Sequence, residues 1–404
     1  MKKNVRLAIS IACLILMFTG CGLGKANPED AVDQASGEIQ TTESGTDGTT
    51  QGGAAGENSE TAKEAETSDG PSDSEEAEHD DEENAKAEET DEKDKTDETT
   101  ESEEKGHFTF QPVVIPSIFR DIMGEDMCEA YANYVEAALN GEDEFAVSSE
   151  ETYNWMIGQF PYACFPILEE YTESDYGGAY HNGRATFHYT IPKSEFLRRE
   201  KEFEDIVTGI LNETMRDDYS DLEKILALYE YFCTKYTYDY DTYMEMSDRY
   251  IEELNAYRFL TTEHGICSEC APAFSYLLLQ AGVDATTVGG NCPRNGEGHS
   301  WSYVTINGKN YQLDPTYGMD SGVCLSYFMM TDQQREAEDG YKKDEMCIGC
   351  HYKDEHNGDQ YDADDDYFAP LWGGYLTSWD HEKKLIYYTD KNGEDAVFDY
   401  SSFE

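Results

Sequence analysis

Positive charge is what this chain has least of: 29 Lys and Arg stand against 86 Asp and Glu in 404 residues, a formal net charge of -57. A polyanion of this kind cannot neutralise phosphates, which excludes nucleic acid as a partner, and it disfavours docking on an anionic lipid surface by charge. Aromatic residues are missing altogether from residues 22–106, which hold 29 acids and 6 bases, net -23. Such a stretch cannot bury enough apolar surface to offset the entropy of ordering, so it is expected to be a disordered acidic linker. Residues 107–404 hold 57 acids and 20 bases, net -37, yet carry 50 of the 51 aromatic residues. That density of rings can build a substantial core despite the charge, as one compact unit of about 300 residues or two closely packed ones.

The apolar run from Leu7 to Phe18 is too short to span a bilayer comfortably and follows Lys2, Lys3 and Arg6, the layout of a secretory signal. It ends at Thr19-Gly20-Cys21, with Phe18 where Leu is usual. Small residues just before a cysteine at this place resemble the lipobox of bacterial lipoproteins, which implies cleavage before Cys21 and lipid on its sulfur. Residues 1–21 are thus expected to be a lipoprotein signal peptide, and the protein to be exported and held at the membrane through a lipid anchor. Residues 22–106 then serve as a tether, spanning on the order of 50 Å as a neutral flexible chain and further with self-repulsion.

From His107 onward, helix and strand signals alternate. Ile118 to Leu139 has helical spacing and stops at Asn140-Gly141, and Ala179 to Ile191 reads as a hairpin turning at Asn182-Gly183. Lys193 to Met215 and Leu222 to Tyr236 read as helices, the second opened by Ser220-Asp221. His188 reads as a packed or surface residue. Near the C-terminus, Lys384 to Thr389 and Ala396 to Tyr400 flank Asn392-Gly393 and predict a β-hairpin.

The chemistry concentrates between Gly265 and Gly318. Gly265-Ile266-Cys267 precedes an apolar helical stretch that stops at Gly282, which puts Cys267 at a helix N-terminus. Unpaired N–H groups and the positive end of the helix dipole there favour a thiolate. His299 opens a strand that turns at Asn307-Gly308 and returns to Asp314. With those two residues as a type I′ turn, paired positions sum to 615, and Asp314 becomes the diagonal neighbour of His299. A carboxylate there can accept one imidazole N–H and leave the other nitrogen facing a thiol.

Gly265-Ile-Cys267-Ser-Glu-Cys270-Ala271, His299-Ser-Trp301 and Asp314-Pro315-Thr316, in that order, resemble the transglutaminase-like superfamily. Leu222 to Asp241 is similar to the helix that commonly precedes these elements. Residues 200 to 330 carry the resemblance well and residues 107–199 loosely. It implies an α+β fold with a papain-like core, in which the cysteine-bearing helix packs on an antiparallel sheet. It also implies Cys267 as nucleophile, His299 as general base and acid, and Asp314 as its orienter, with no cofactor and no metal. Two departures are Cys270, where an aromatic residue is usual, and Pro272 early in the helix. The second oxyanion donor is open, with Tyr238 and Tyr240 as candidates. The organisation expected is an N-terminal α/β part at 107–199, a transglutaminase-like core at 200–340 and a β-rich extension at 341–404. The function expected is thiol-dependent hydrolysis of a peptide or protein amide, or acyl transfer from glutamine, on surface or cell-wall peptides. The alternative is a catalytically inactive binding module of the same fold.

Two competing site readings are weaker. Cys267-x-x-Cys270 and Cys347-x-x-Cys350, with His351 nearby, could be halves of a zinc site, but the separation exceeds the usual ribbon spacing. Asp362, Asp364 and Asp366 fit the first positions of a calcium loop, which then fails at Tyr367 and Gly373. Export would permit up to four disulfides among the remaining eight cysteines.

Overall fold

The computed structural model of the chain describes residues 108–159, 164–174, 179–246, 251, 253–343 and 361–403. Residues 1–21, expected to be a signal peptide ending at Cys21, residues 22–106, expected to be a tether, and Cys347, Cys350 and His351 lie outside the described residues. The fold is α+β, with helices packed around small, mainly antiparallel sheets. No described helix is long and apolar enough to cross a membrane.

The first expected helix is in fact two, Ser117–Met123 and Glu125–Leu139. The break is Gly124, at φ +77°, whose N–H donates to the Arg120 carbonyl and whose carbonyl accepts from Cys128 N–H. Glycine takes that backbone conformation at little steric cost, so periodicity continues across a residue that the helix does not. The Asn182-Gly183 turn forms as expected, with φ of +52° and +85°, but its hairpin is shorter. Arg184–Thr186 pairs with Tyr180–His181 on one side and Glu144–Ala146 on the other, whereas His188–Tyr189 crosses to Thr172–Glu173. Between them Phe187 leaves the ladder to pack its fully buried ring 4.9 Å from Tyr134 and 6.1 Å from Phe145. Burial of a large ring decided against a continuous strand.

Helix Lys193–Thr214 is followed by Asp221–Lys235, which opens with a capping box: Ser220 accepts Glu223 N–H while Glu223 accepts Ser220 N–H. Helix Cys267–Gln280 lies against the main sheet and is buried on every side, with Ser268 alone partly open. Pro272 removes one internal hydrogen bond but does not end the helix. The sheet is antiparallel throughout, in the order Lys309–Leu313, Gly298–Ile306, Asp284–Asn291, Lys342–Lys343. Ser275 and Ser302 share a hydrogen bond of 2.8 Å across the helix–sheet interface, which satisfies two buried hydroxyls.

At the C-terminal end the expected hairpin supplies the central strand and one edge of a three-stranded sheet, Tyr375–Asp380, Leu385–Thr389 and Asp395–Asp399. The additional strand carries no alternating apolar signal because neither face is deeply buried. This sheet is tied to helix Asp221–Lys235 by Glu223, a fully buried carboxylate that accepts from His381 (2.8 Å), Lys384 (3.0 Å) and Tyr400 (2.8 Å).

Candidate active site

The turn chemistry sets the site's geometry. Asn307 and Gly308 stand at φ +53° and +72°, and Lys309 pairs with Ile306 through to Leu313 with Ser302, so every pair sums to 615. Asp314 leaves the strand one residue later, and its Oδ2 lies 2.6 Å from His299 Nε2. With Nε2 committed to the carboxylate, Nδ1 is the nitrogen left for a second partner.

That partner is Cys267, the first residue of its helix and nearly buried. Parallel pairing of Thr237–Tyr238 with His264–Gly265 leads the chain into this position. Gly265 has no room for a side chain: a Cβ there would stand 2.7 Å from the Phe259 ring and 2.8 Å from the Glu269 carboxylate. Glu269, fully buried, accepts Ile266 N–H at 3.0 Å and both bonds from Arg258 Nη1 at 2.7 Å, while Arg258 Nη2 reaches Asp239 at 2.6 Å. The Cys267 end of the helix is thus clamped by a charge-assisted ion pair in which one guanidinium nitrogen reaches both carboxylate oxygens.

Burial alone pushes the Cys267 thiol up, but the His299 imidazolium, a hydrogen bond to that ring and another from Ser300 N–H outweigh it, so the thiol lies below its ordinary value. For His299, burial works against the charged ring, yet the Asp314 carboxylate and the Cys267 thiolate hold it protonated well above the ordinary value. Asp314 would also be raised by burial, and the His299 and Arg335 charges together with hydrogen bonds bring it below the ordinary carboxylate range. These shifts are mutually consistent and describe a thiolate–imidazolium pair backed by a carboxylate.

Three features were not read from the sequence. Thr316 donates its N–H (3.2 Å) and its hydroxyl to Asp314 Oδ1, which gives the Asp-Pro-Thr element a physical reason. Arg335, fully buried on helix Asp332–Glu338, donates from Nη1 to Asp314 Oδ2 at 2.6 Å. Aromatic rings box in the His299 ring, with centroids at 5.0 Å for Tyr341, 5.5 Å for Tyr317 and 5.9 Å for Trp301. Of the two tyrosines considered as oxyanion donors, Tyr240 is 66% exposed, whereas Tyr238 is close enough for the Cys267 charge to help push its phenol up, after burial.

The remaining candidates separate from this site. Cys270 is a buried thiol pushed up by burial. The described cysteines, Cys128, Cys164, Cys233, Cys267, Cys270, Cys292 and Cys324, are all unpaired and buried, so the disulfides that export would permit do not form among them. In the acidic loop the Asp365 carboxylate accepts from Lys309 Nζ (2.5 Å) and Tyr311 OH (2.7 Å), and among the three residues that fit a calcium pattern Asp362 and Asp366 accept through their backbone carbonyls, from Asn310 Nδ2 (3.3 Å) and Ala369 N–H (2.9 Å). His188 is exposed on its strand.

Residues 208–315, which contain Cys267, His299 and Asp314, match the model of the Transglutaminase-like superfamily. Among solved structures the chain is similar to a candidate cysteine protease from Cytophaga hutchinsonii, at 16% identity over 30% of this chain and 40% of that one, with a TM-score of 0.24. It is similar also to a TGase, at 17% identity over 31% of this chain and 34% of the other, with a TM-score of 0.26. A third is the periplasmic domain of TgpA from Pseudomonas aeruginosa bound to ethylmercury, at 19% identity, 30% and 45% coverage and a TM-score of 0.22. The chain spans less than half the length of each of these structures. No curated protein matches. The segment that brings the cysteine helix, the histidine strand and the aspartate together, residues 208–315, is thus the part of the chain that matches the transglutaminase-like superfamily.

Proposed function

We propose that Cys267, His299 and Asp314 are a catalytic triad for acyl transfer from a peptide or protein amide. The observation that carries this reading is geometric: His299 Nε2 lies 2.6 Å from Asp314 Oδ2, and the same ring hydrogen-bonds to Cys267, a thiol at a helix start. Cys267 Sγ adds to the amide carbonyl carbon. The negative oxygen that develops is met by the Cys267 backbone N–H, which has no partner within its own helix at this first position. His299 passes a proton from Nδ1 to the amine as the C–N bond breaks, leaving a thioester. Water or a second amine then attacks the thioester carbonyl, gives up its proton to His299 and releases Cys267. Both outcomes use the same three residues, and hydrolysis has the advantage that water always competes. No metal or cofactor enters this scheme.

In this reading the domain acts outside the cytoplasm, held at the membrane by lipid on Cys21 and carried outward by residues 22–106. Its substrates are surface or cell-wall peptides. The decisive test is covalent trapping by a thiol-directed amide mimic. The wild-type protein should be labelled at one site and Cys267→Ala should not. A well-folded protein that resists the probe would make the fold a recognition module for the same peptides. The anchor is tested separately: the protein should take up labelled fatty acid and partition into detergent, and Cys21→Ser should do neither. A Cys21→Ser variant that behaves as wild type would remove the anchor from the proposal.

A further inference from the structure

Arg335 is the feature of the site for which the acyl-transfer scheme has no role. The side chain is fully buried, with no partner for Nε among the described residues, an ion-pair contact of 3.1 Å from Nη2 to Asp339, and the 2.6 Å bond from Nη1 to Asp314 Oδ2. A guanidinium so incompletely bonded costs a great deal to bury, and something must offset that cost. Its Cζ lies 4.5 Å from the Trp301 ring centre, 5.4 Å from that of Tyr341 and 5.6 Å from those of Tyr317 and Tyr327. Three of these four side chains, Trp301, Tyr317 and Tyr341, also enclose His299. One aromatic box therefore holds both cations on one carboxylate oxygen, since His299 Nε2 and Arg335 Nη1 each lie 2.6 Å from Asp314 Oδ2. Along this line the charges alternate: thiolate, imidazolium, carboxylate, guanidinium.

We infer that Arg335 is a positioning residue that keeps Asp314 ionised and aimed at His299, and thereby sets the pH at which Cys267 becomes a thiolate. The inference rests on reading Cys267, His299 and Asp314 as a triad. Without Arg335 a second positive charge no longer balances Asp314, whose negative charge opposes the thiolate. The acid limb of Cys267 reactivity must then move up. Other ionisable groups face the same row. Cys233, Cys270 and Tyr229 are held neutral chiefly by burial, as are Tyr238, Tyr317, Tyr327 and Tyr341. Of the neighbouring carboxylates, Asp339 faces Arg335 rather than the thiol, Glu297 accepts from the Tyr341 hydroxyl at 3.4 Å, and Glu269 is taken by Arg258.

The experiment follows the alkylation rate of Cys267 against pH in the full chain, with labelling located by peptide mass. In the wild-type protein the midpoint of the acid limb should lie well below that of a free cysteine. An ordinary midpoint there sinks the triad reading and Arg335's role with it, a result distinct from those that follow. Arg335→Met should raise the midpoint by about one pH unit, roughly a tenfold slower reaction below it, and Arg335→Lys should recover at least half of that shift. In the Asp314→Asn background the same Arg335→Met change should move the midpoint little, because the residue acts through the carboxylate. A folded Arg335→Met protein with the wild-type midpoint, or equal shifts in both backgrounds, overturns the inference. If Arg335→Met does not fold, Arg335→Gln decides: it keeps a polar end that can donate to Asp314 but carries no charge, so a folded Arg335→Gln protein with the wild-type midpoint would show that the guanidinium charge does not set it.

Discussion

Asp314 is the residue on which most of the site converges, taking His299 and Arg335 on one oxygen and Thr316 on the other. Removing its side chain leaves a buried guanidinium and a buried imidazolium without their anion, so Asp314→Ala should cost about 3–5 kcal/mol of stability. Asp314→Asn, which keeps the shape, is the better probe of chemistry, and chemical denaturation of the two variants checks the difference. The ion pair also gives stability a pH signature. Asp314 is depressed below its ordinary 3.8 by His299 and Arg335, so its contribution is present above that value and lost as pH falls through the folded one. His299 is raised above its ordinary 6.5 by Asp314 and Cys267, so its contribution is complete below that value and fades as pH rises through the folded one. Melting curves of wild type and His299→Gln should therefore differ most between these two ordinary values and converge on both sides. A constant gap across the pH range would mean that the pair is not charged. Cys267, His299 and Asp314 were legible in the sequence because turn geometry and a helix start are local. Arg335 was not, because its partner is 21 positions away and nothing in Asp332-Gln-Gln-Arg335 marks a buried cation.

Between turn and site, a single register carries the information. Asn307 and Gly308 adopt left-handed backbone angles suited to a two-residue turn, and from them the whole pairing of Gly298–Ile306 with Lys309–Leu313 follows. Inserting one residue in this turn should swing Asp314 to the opposite face and abolish rapid alkylation of Cys267, while far-ultraviolet circular dichroism stays close to wild type. Retained reactivity would show that Asp314 is placed by its later contacts with Thr316 and Arg335 instead. Elements set by local rules of this kind were read correctly, including the Ser220 cap and the stop of the Cys267 helix at Gly282. Elements set by distant packing were not: Phe187 interrupts a strand to join a ring cluster, and Tyr375–Asp380 joins a sheet without an apolar face. Glu223 shows both cases in one residue. Its capping role lies within three positions, whereas His381, Lys384 and Tyr400 reach it from 158 to 177 residues away. Glu223→Ala should strand these three donors, cost about 3 kcal/mol or more, and make the C-terminal sheet the first segment cut by protease. Cleavage beginning elsewhere would place the weak point in another element.

For the molecule as a whole, charge is the dominant fact. In residues 107–404 there are 57 acids and 20 bases, so even if every base paired with one acid, 37 carboxylates would remain unmatched. Many surface pairs do form, such as Arg198 with Glu195 and Glu202 or Lys201 with Asp205, yet exposed pairs contribute little individually and salt weakens them only modestly. Repulsion among the surplus acts over longer distances and should outweigh that loss. Raising ionic strength from about 0.01 M to 0.15 M shortens the screening length from about 30 Å to about 8 Å, which removes repulsion across the surface while leaving the buried Cys267, His299, Asp314 and Arg335 row almost untouched. The protein lacking residues 22–106 should therefore melt a few degrees higher at 0.15 M than at 0.01 M salt, about 2–4 °C for each kcal/mol of repulsion relieved. Cys267 alkylation by a neutral reagent should meanwhile change little. The comparison is made by calorimetry on that shortened chain and on the full one, whose extra segment adds a net -23. A melting temperature that falls with salt would mean that surface ion pairs, not surplus acid, govern stability. Equal melting and equal alkylation in the two chains would leave residues 22–106 with reach as their contribution, since a segment without Phe, Trp or Tyr has no apolar surface to lend to the folded part.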